Sequence, residues 1–283
     1  NQQYRKEVIK IYALDFEYDG VKLSDYGMMI CSIDSSSGVE TVSSGADLTF
    51  NQLKTSRGNK FYLTSAKYEE AYVSEPFQIC KNPCLSDNEI GISIEEISAI
   101  QRWLCRKDGF KTFKIDQKGY EHIYWNGTFS SKQIALNGRI IGLELTLYTD
   151  SPYAYMDEVS VEYDCSAGTS FDFYDNSDEV TDMYNQTRPD MEITILSDGD
   201  FTLSNSLDSR IMILKNCKAN EVITINGDEE IIASSLSSHK LPKDFNFYFP
   251  RVINTYEERC NSYTPSLDCK IKITYSPSRK VGL

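Results

Sequence analysis

Two histidines, His122 and His239, and eight cysteines are the residues of this 283-residue chain best suited to nucleophilic or metal chemistry. A serine or cysteine nucleophile needs a base within hydrogen-bond reach. His122 stands in a Tyr- and Trp-rich stretch and His239 in the segment Ser235–Lys240. Neither has a nucleophile motif around it, and Gly-x-Ser-x-Gly is absent. Cys80-x-x-x-Cys84 is the one close cysteine pair. Zinc would require a second pair or a suitably spaced histidine, and neither histidine is near. Cys31, Cys105, Cys165, Cys217, Cys260 and Cys269 are scattered, so the simple reading is reduced thiols used as small hydrophobes. Paired carboxylates could cleave a glycosidic bond, but among 42 acidic residues some pair is always available. Asp172, Asp175, Asp178, Glu179 and Asp182 could gather calcium. They lack the alternating ligands and central glycine of a calcium loop, and a solvated acidic loop accounts for them more simply. No catalytic, cofactor-binding or metal-binding residue is assigned, and an enzyme is not expected.

The elements that would have to position any site read as mainly β. Tyr (19), Phe (13), Thr, Val and Ile are abundant, and these side chains favour strands. Asp19-Gly20 is a turn signal between two strand-like runs, and Met28–Ile33 reads as a buried strand. Thr41–Phe50 and Phe61–Lys67 follow as strands. Ser93-Ile94-Glu95-Glu96 is a capping box opening the one clear helix. Ile94, Ile97, Ile100, Trp103 and Leu104 line one face of it, Arg106 and Lys107 suit its negative end, and Gly109 offers a left-handed stop. The helix is therefore predicted from about Ile94 to Lys107, packed on a sheet. Strands are then expected at Thr112–Ile115, Ile123–Trp125 and Gly138–Leu147, where Ile141, Leu143, Leu145 and Leu147 point one way.

Pro152 cannot donate to a ladder and ends that pattern, which puts a domain boundary near Tyr155. A single core rarely grows past about 250–300 residues, so two domains are expected: 1–155, and 156–283, with the last strand free to return to the first. The second reads as short strands with regular turns, a β-sandwich. They include Met191–Ile195, Phe201–Ser204, Arg210–Leu214, Glu221–Ile225, a hairpin turn at Asn226-Gly227 with Glu230–Ile232 returning, and Cys269–Tyr275. The net charge of -13 divides as -3 over 1–155 and -10 over 156–283. Thirteen acidic residues and one basic residue, Arg188, lie between Asp157 and Asp200. An acidic surface repels phosphate, so tight nucleic-acid binding is not expected. No run of about 18 apolar residues occurs, so no membrane insertion is expected. No charged-then-apolar leader is seen, and Asn1 in place of Met suggests a trimmed start.

The order of these motifs resembles the distal tail protein family of long flexible-tailed bacteriophages, a family of Dit-like proteins found also in prophages. The resemblance is carried by Phe16-x-Tyr18-Asp19-Gly20 with Tyr26-Gly27, by the helix ending in Trp103-Leu104, and by Tyr124-Trp125-Asn126-Gly127. Gly142-Leu143-Glu144-Leu145 running into Ser151-Pro152-Tyr153-Ala154 continues it. Pro189-Asp190-Met191, Gly199-Asp200-Phe201, Glu221–Ile225, Phe245–Arg251 and Tyr275–Lys280 extend it to nearly the whole chain. What it implies is an N-terminal β-rich domain closing a six-membered ring and a C-terminal galectin-like β-sandwich outside it. It also implies a homohexameric hub joining the tail tube protein to tip, baseplate or receptor-binding proteins. Such a chain would belong to the virion tail and assemble in the host bacterial cytoplasm. The alternative is a carbohydrate-binding module of a phage adhesion device. Against it, both tryptophans, Trp103 and Trp125, fall in the first part, and Lys240-Leu241-Pro242 follows His239 where galectins place Asn-x-Arg. Tyr174 or Tyr184 could supply an aromatic platform, though packing in the core or at its rim is the simpler role. Asn126-Gly127-Thr128 and Asn185-Gln186-Thr187 match glycosylation acceptors, which carry no such meaning in a phage protein.

Overall fold

The computed structural model describes residues 13–33, 44–56, 58, 60–82, 90–182 and 186–283. The chain divides into one compact unit of 1–155 with 280–283, and a second of 156–279.

Turn chemistry and strand alternation build the first unit. β1 (Phe16–Tyr18) and β2 (Val21–Lys22) meet through Asp19 and Gly20, whose φ values of 52° and 75° match the two-residue hairpin turn expected there. A 3-10 turn (Leu23–Tyr26) leads into β3 (Met28–Cys31). β4 (Leu48–Lys54) and β5 (Phe61–Tyr68) form a hairpin of their own, followed by β6 (Phe77–Lys81) and the helix α1 (Ile94–Leu104). β7 (Lys111–Ile115), β8 (Ile123–Leu136) and β9 (Arg139–Thr149) complete a sheet ordered β2-β1-β7-β8-β9-β6-β3, and β10 (Ala154–Met156) pairs with β8. Leu143, Leu145 and Leu147 point into the core as their alternation predicts.

The core of this unit is aromatic. Trp103 stacks between Phe16 and Tyr26, at centroid distances of 5.8 and 4.6 Å. Phe113, Trp125 and Phe129 fill the space beneath. The last residues return here: the Leu283 N–H donates to Tyr72 Oη (2.7 Å), and Tyr120 Oη donates to the Gly282 carbonyl (3.2 Å).

The second unit has two sheets. β11 (Val159–Cys165), β13 (Asp190–Ile195), β16 (Val222–Asn226), β17 (Ile231–Ser234) and β19 (Cys269–Tyr275) form one, ordered β11-β19-β13-β16-β17. β12 (Phe171–Tyr174), β14 (Gly199–Asn205), β15 (Ile211–Cys217) and β18 (Cys260–Pro265) form the other, ordered β12-β18-β14-β15. Ile193, Ile223, Ile271 and Ile273 from the first sheet share a core with Phe201, Leu203, Met212, Leu214 and Tyr263 from the second. This is the sandwich that the short alternating strands predict. The four-residue helix α2 (Leu241–Asp244) and β20 (Ser278–Arg279) follow β17 and β19.

Several expectations need correction. The helix stops at Leu104, not Lys107, because a strand takes over its end: Thr128 Oγ1 donates to the Arg106 carbonyl (3.0 Å). Arg106 is drawn away to Asp108 and Asp19, and Gly109 lies beyond the helix. Ile94, the first helical residue, is exposed rather than on the packed face. The strand expected over Ile123–Trp125 runs on to Leu136, where Asn137-Gly138 turns the chain. Asn226 pairs with Ile231, so four residues rather than two make that turn, with Glu230 in the left-handed conformation. Gly227 is needed for close approach instead: a Cβ there would lie 2.0 Å from the Arg188 carbonyl oxygen. The strand expected over Thr41–Phe50 begins at Leu48, and residues 41–43 lie outside the described residues.

Candidate interaction surface

The residues suited to chemistry do not converge. His122 is exposed at the turn before β8, while the His239 side chain is buried in the second unit. Cys80 is buried on β6, and Cys84 lies outside the described residues. All seven described cysteines are free thiols, and no cluster of metal-ligating side chains occurs among the described residues. The acidic stretch is not the solvated loop expected. Asp172 and Asp182 are exposed, but Asp175 and Glu179 are buried, in a segment tied by main-chain hydrogen bonds to Asn254, Arg259 and Ser278. Asp175 Oδ1 accepts the Ser177 N–H (3.0 Å), and Asp178 pairs with Arg279 (2.6 Å). Trp103 and Trp125 are core residues. Tyr174 is neither core nor rim but exposed, and Tyr184 and Asn185 lie outside the described residues. No helix of the described residues is long and apolar enough to cross a membrane.

A different feature stands out, which strand alternation alone did not reveal. Among the described residues, β4 and β5 form a two-stranded sheet that pairs with no other strand. Directly opposed residues share a face, and one face carries Leu48 against Tyr68, Phe50 against Ala66, Gln52 against Leu63, and Lys54 against Phe61. The other carries Thr49 against Lys67 and Asn51 against Ser65, with Leu53 against Tyr62 near the tip. A register shift between Asn51 and Gln52 makes this possible. A one-residue slip exchanges the faces, so the bulge keeps Leu63 and Phe61 on the side of Leu48 and Phe50.

Phe50, Phe61 and Leu63 are each 59 % exposed, and Leu53 is 61 % exposed. The hairpin is tied at its base, where Tyr68 meets Tyr153 edge-on at 5.1 Å. Lys54 lies over the Phe61 ring (5.6 Å), and Lys67 pairs with Glu69 (3.0 Å). An isolated two-stranded hairpin is marginal in water, and a contiguous exposed apolar patch marks a surface that another surface covers. The sequence did carry the signal: Leu48, Phe50, Phe61 and Leu63 alternate. It gives no sign that, among the described residues, these strands pair only with each other.

Two family models match the chain: "Phage tail protein N-terminal domain" over residues 11–151 and "Phage tail C-terminal domain" over residues 153–275. Among solved structures the fold is similar to that of the SPP1 Dit (gp 19.1) protein, described as a paradigm of the hub adsorption apparatus in phages infecting Gram-positive bacteria. The two share 11 % identity at a TM-score of 0.65, over 93 % of this chain and 98 % of that one. No curated protein sequence matches.

Proposed function

The chain belongs to the phage tail proteins, and from that membership we propose that it is a non-enzymatic hub of the tail tip: a homohexameric ring joining the tail tube protein to tip or receptor-binding proteins. The observation that carries the ring is the exposed apolar face of the β4–β5 hairpin. A second copy of the chain is its natural cover. When one surface of a subunit docks on a different surface of the next, a fixed rotation closes the contacts into a ring. The hairpin belongs to the first unit, and in this reading the second unit is a galectin-like sandwich available to further partners. Assembly in the host cytoplasm fits a chain whose described cysteines are all free thiols. The carbohydrate-binding alternative has less support: both tryptophans are core residues, and the exposed Tyr174 is the one described aromatic platform left to it among those named.

The test is a double substitution, Phe50→Ser with Leu63→Ser, at two exposed positions outside the core. The expected result is a folded chain with unchanged circular dichroism that runs as a monomer in light scattering, while the parent forms a hexamer. A variant that assembles as the parent does would remove the hairpin from the interface.

A further inference from the structure

We propose that His239 is a buried imidazolium, paired with the carboxylate of Glu221, and that this pair latches residues 239–246 onto the outer edge of the second unit's four-stranded sheet. That edge is β15, whose main chain would otherwise be open on one side. The segment covers it bond by bond. Asn246 Nδ2 donates to the Ile211 carbonyl (2.8 Å), and the Ile213 N–H donates to Asn246 Oδ1 (3.0 Å). The Asn246 N–H donates to the Ile213 carbonyl (3.1 Å), and Asn216 Nδ2 donates to Asp244 Oδ1 (2.8 Å). His239 Nε2 meets the Lys215 carbonyl (2.9 Å).

The hydrogen bonds of His239 define its charge. A carbonyl oxygen only accepts, so Nε2 carries a proton. In a neutral ring Nδ1 would then present a bare lone pair to Glu221 Oε1, which lies 2.5 Å away. A proton must sit between them. Glu221 already accepts Ser234 Oγ at Oε1 (2.5 Å) and the Lys218 N–H at Oε2 (2.9 Å), the arrangement of an ionised carboxylate. The proton therefore sits on the ring. Both side chains are almost fully enclosed, at 2 % and 0 % exposure.

The groups packed around the pair fit this state. Asp244 Oδ2 on α2 is 3.8 Å from Nε2 and adds negative potential. The Cys217 thiol on β15 is pushed up to about 12 by burial and by Glu221, with smaller effects from Asp200 and Asp244, so it stays neutral. Lys215, Lys218, Lys240 and Lys243 are exposed. Burial alone would raise the Glu221 carboxyl, but hydrogen bonds from Ser234 and His239 outweigh it and hold it below its ordinary range.

Side-chain nitrogen shifts of the full chain at pH 7.0 test the charge directly. Protonation of both His239 ring nitrogens is expected, and a neutral ring overturns the proposal. Urea denaturation tests the latch. Trp103 and Trp125 both lie in the first unit, so tryptophan fluorescence follows that unit as an internal control, and circular dichroism reports both. His239→Gln keeps a donor but not the charge, and it should shift the second-unit transition to lower urea while the first stays in place. A variant whose second-unit transition matches the parent's overturns the proposal.

Discussion

The indole N–H of Trp103 donates to the main-chain carbonyl of Tyr18, 3.0 Å away. This bond fixes the helix α1 to the first strand of the sheet, 85 residues earlier in the chain. Tyr18 in turn donates its hydroxyl to the Gly127 carbonyl on β8 (3.1 Å). One buried chain of contacts thus joins the helix, β1 and β8. Trp103→Ala should cost about 3–5 kcal/mol, the range for deleting a buried aromatic side chain. Trp103→Phe should cost less, because it keeps most of the packing and loses the bond. Urea denaturation of both variants checks this, and an Ala variant within about 0.5 kcal/mol of the parent, the scale of a surface change, would contradict it.

The closing residues belong to the first unit although the second precedes them in the chain. Leu283 is buried, and its N–H is held by Tyr72 Oη. Removing residues 280–283 should therefore destabilise the first unit by about 2 kcal/mol or more, as loss of a buried leucine does. Tryptophan fluorescence should report an earlier transition, with the second unit's transition unmoved. The reverse pattern would show that the tail serves the second unit.

Asp208 gives the second unit an acid limit. Arg251 holds it through two hydrogen bonds of 2.9 Å, and Tyr248 donates its hydroxyl to it. Burial alone would raise this carboxyl, but the bonds from Arg251 and Tyr248 leave it below its ordinary range. A depressed carboxyl contributes stability above its unfolded value, about 3.9, and loses it as pH falls through the folded value. Asp208→Asn should weaken the second unit at pH 7 and flatten its acid unfolding below about pH 4. An unchanged acid limb would place the limit elsewhere.

The charge balance predicts weak or absent binding to duplex DNA near physiological salt. The net charge is -13, and every Lys or Arg that meets phosphate releases counterions and adds affinity. Electrophoretic mobility at low micromolar protein should show no shift. A shift that weakens steeply with salt would reveal a basic surface that the net charge conceals.

Much of the fold was legible because local chemistry decided it. Asp19-Gly20 takes the two left-handed conformations its turn requires, and Ser93 and Glu96 exchange the hydrogen bonds of a capping box (3.2 and 2.8 Å). What escaped was set by distant partners. Thr128 ends the helix from across the sheet, and Arg188 dictates a glycine at 227. The burial of Asp175 and Glu179 depends on where their segment lands. In sequence the hairpin is two separate strands, since alternation reports that a strand has an apolar face and not whether anything covers it.

Native mass spectrometry of the intact chain at tens of micromolar tests the hub most directly. The expected result is a species of six chains, with smaller species feeding it at low concentration. A strict monomer that stays monomeric when tail tube protein is added would contradict it, because the apolar face of the β4–β5 hairpin would then stand uncovered in the working state.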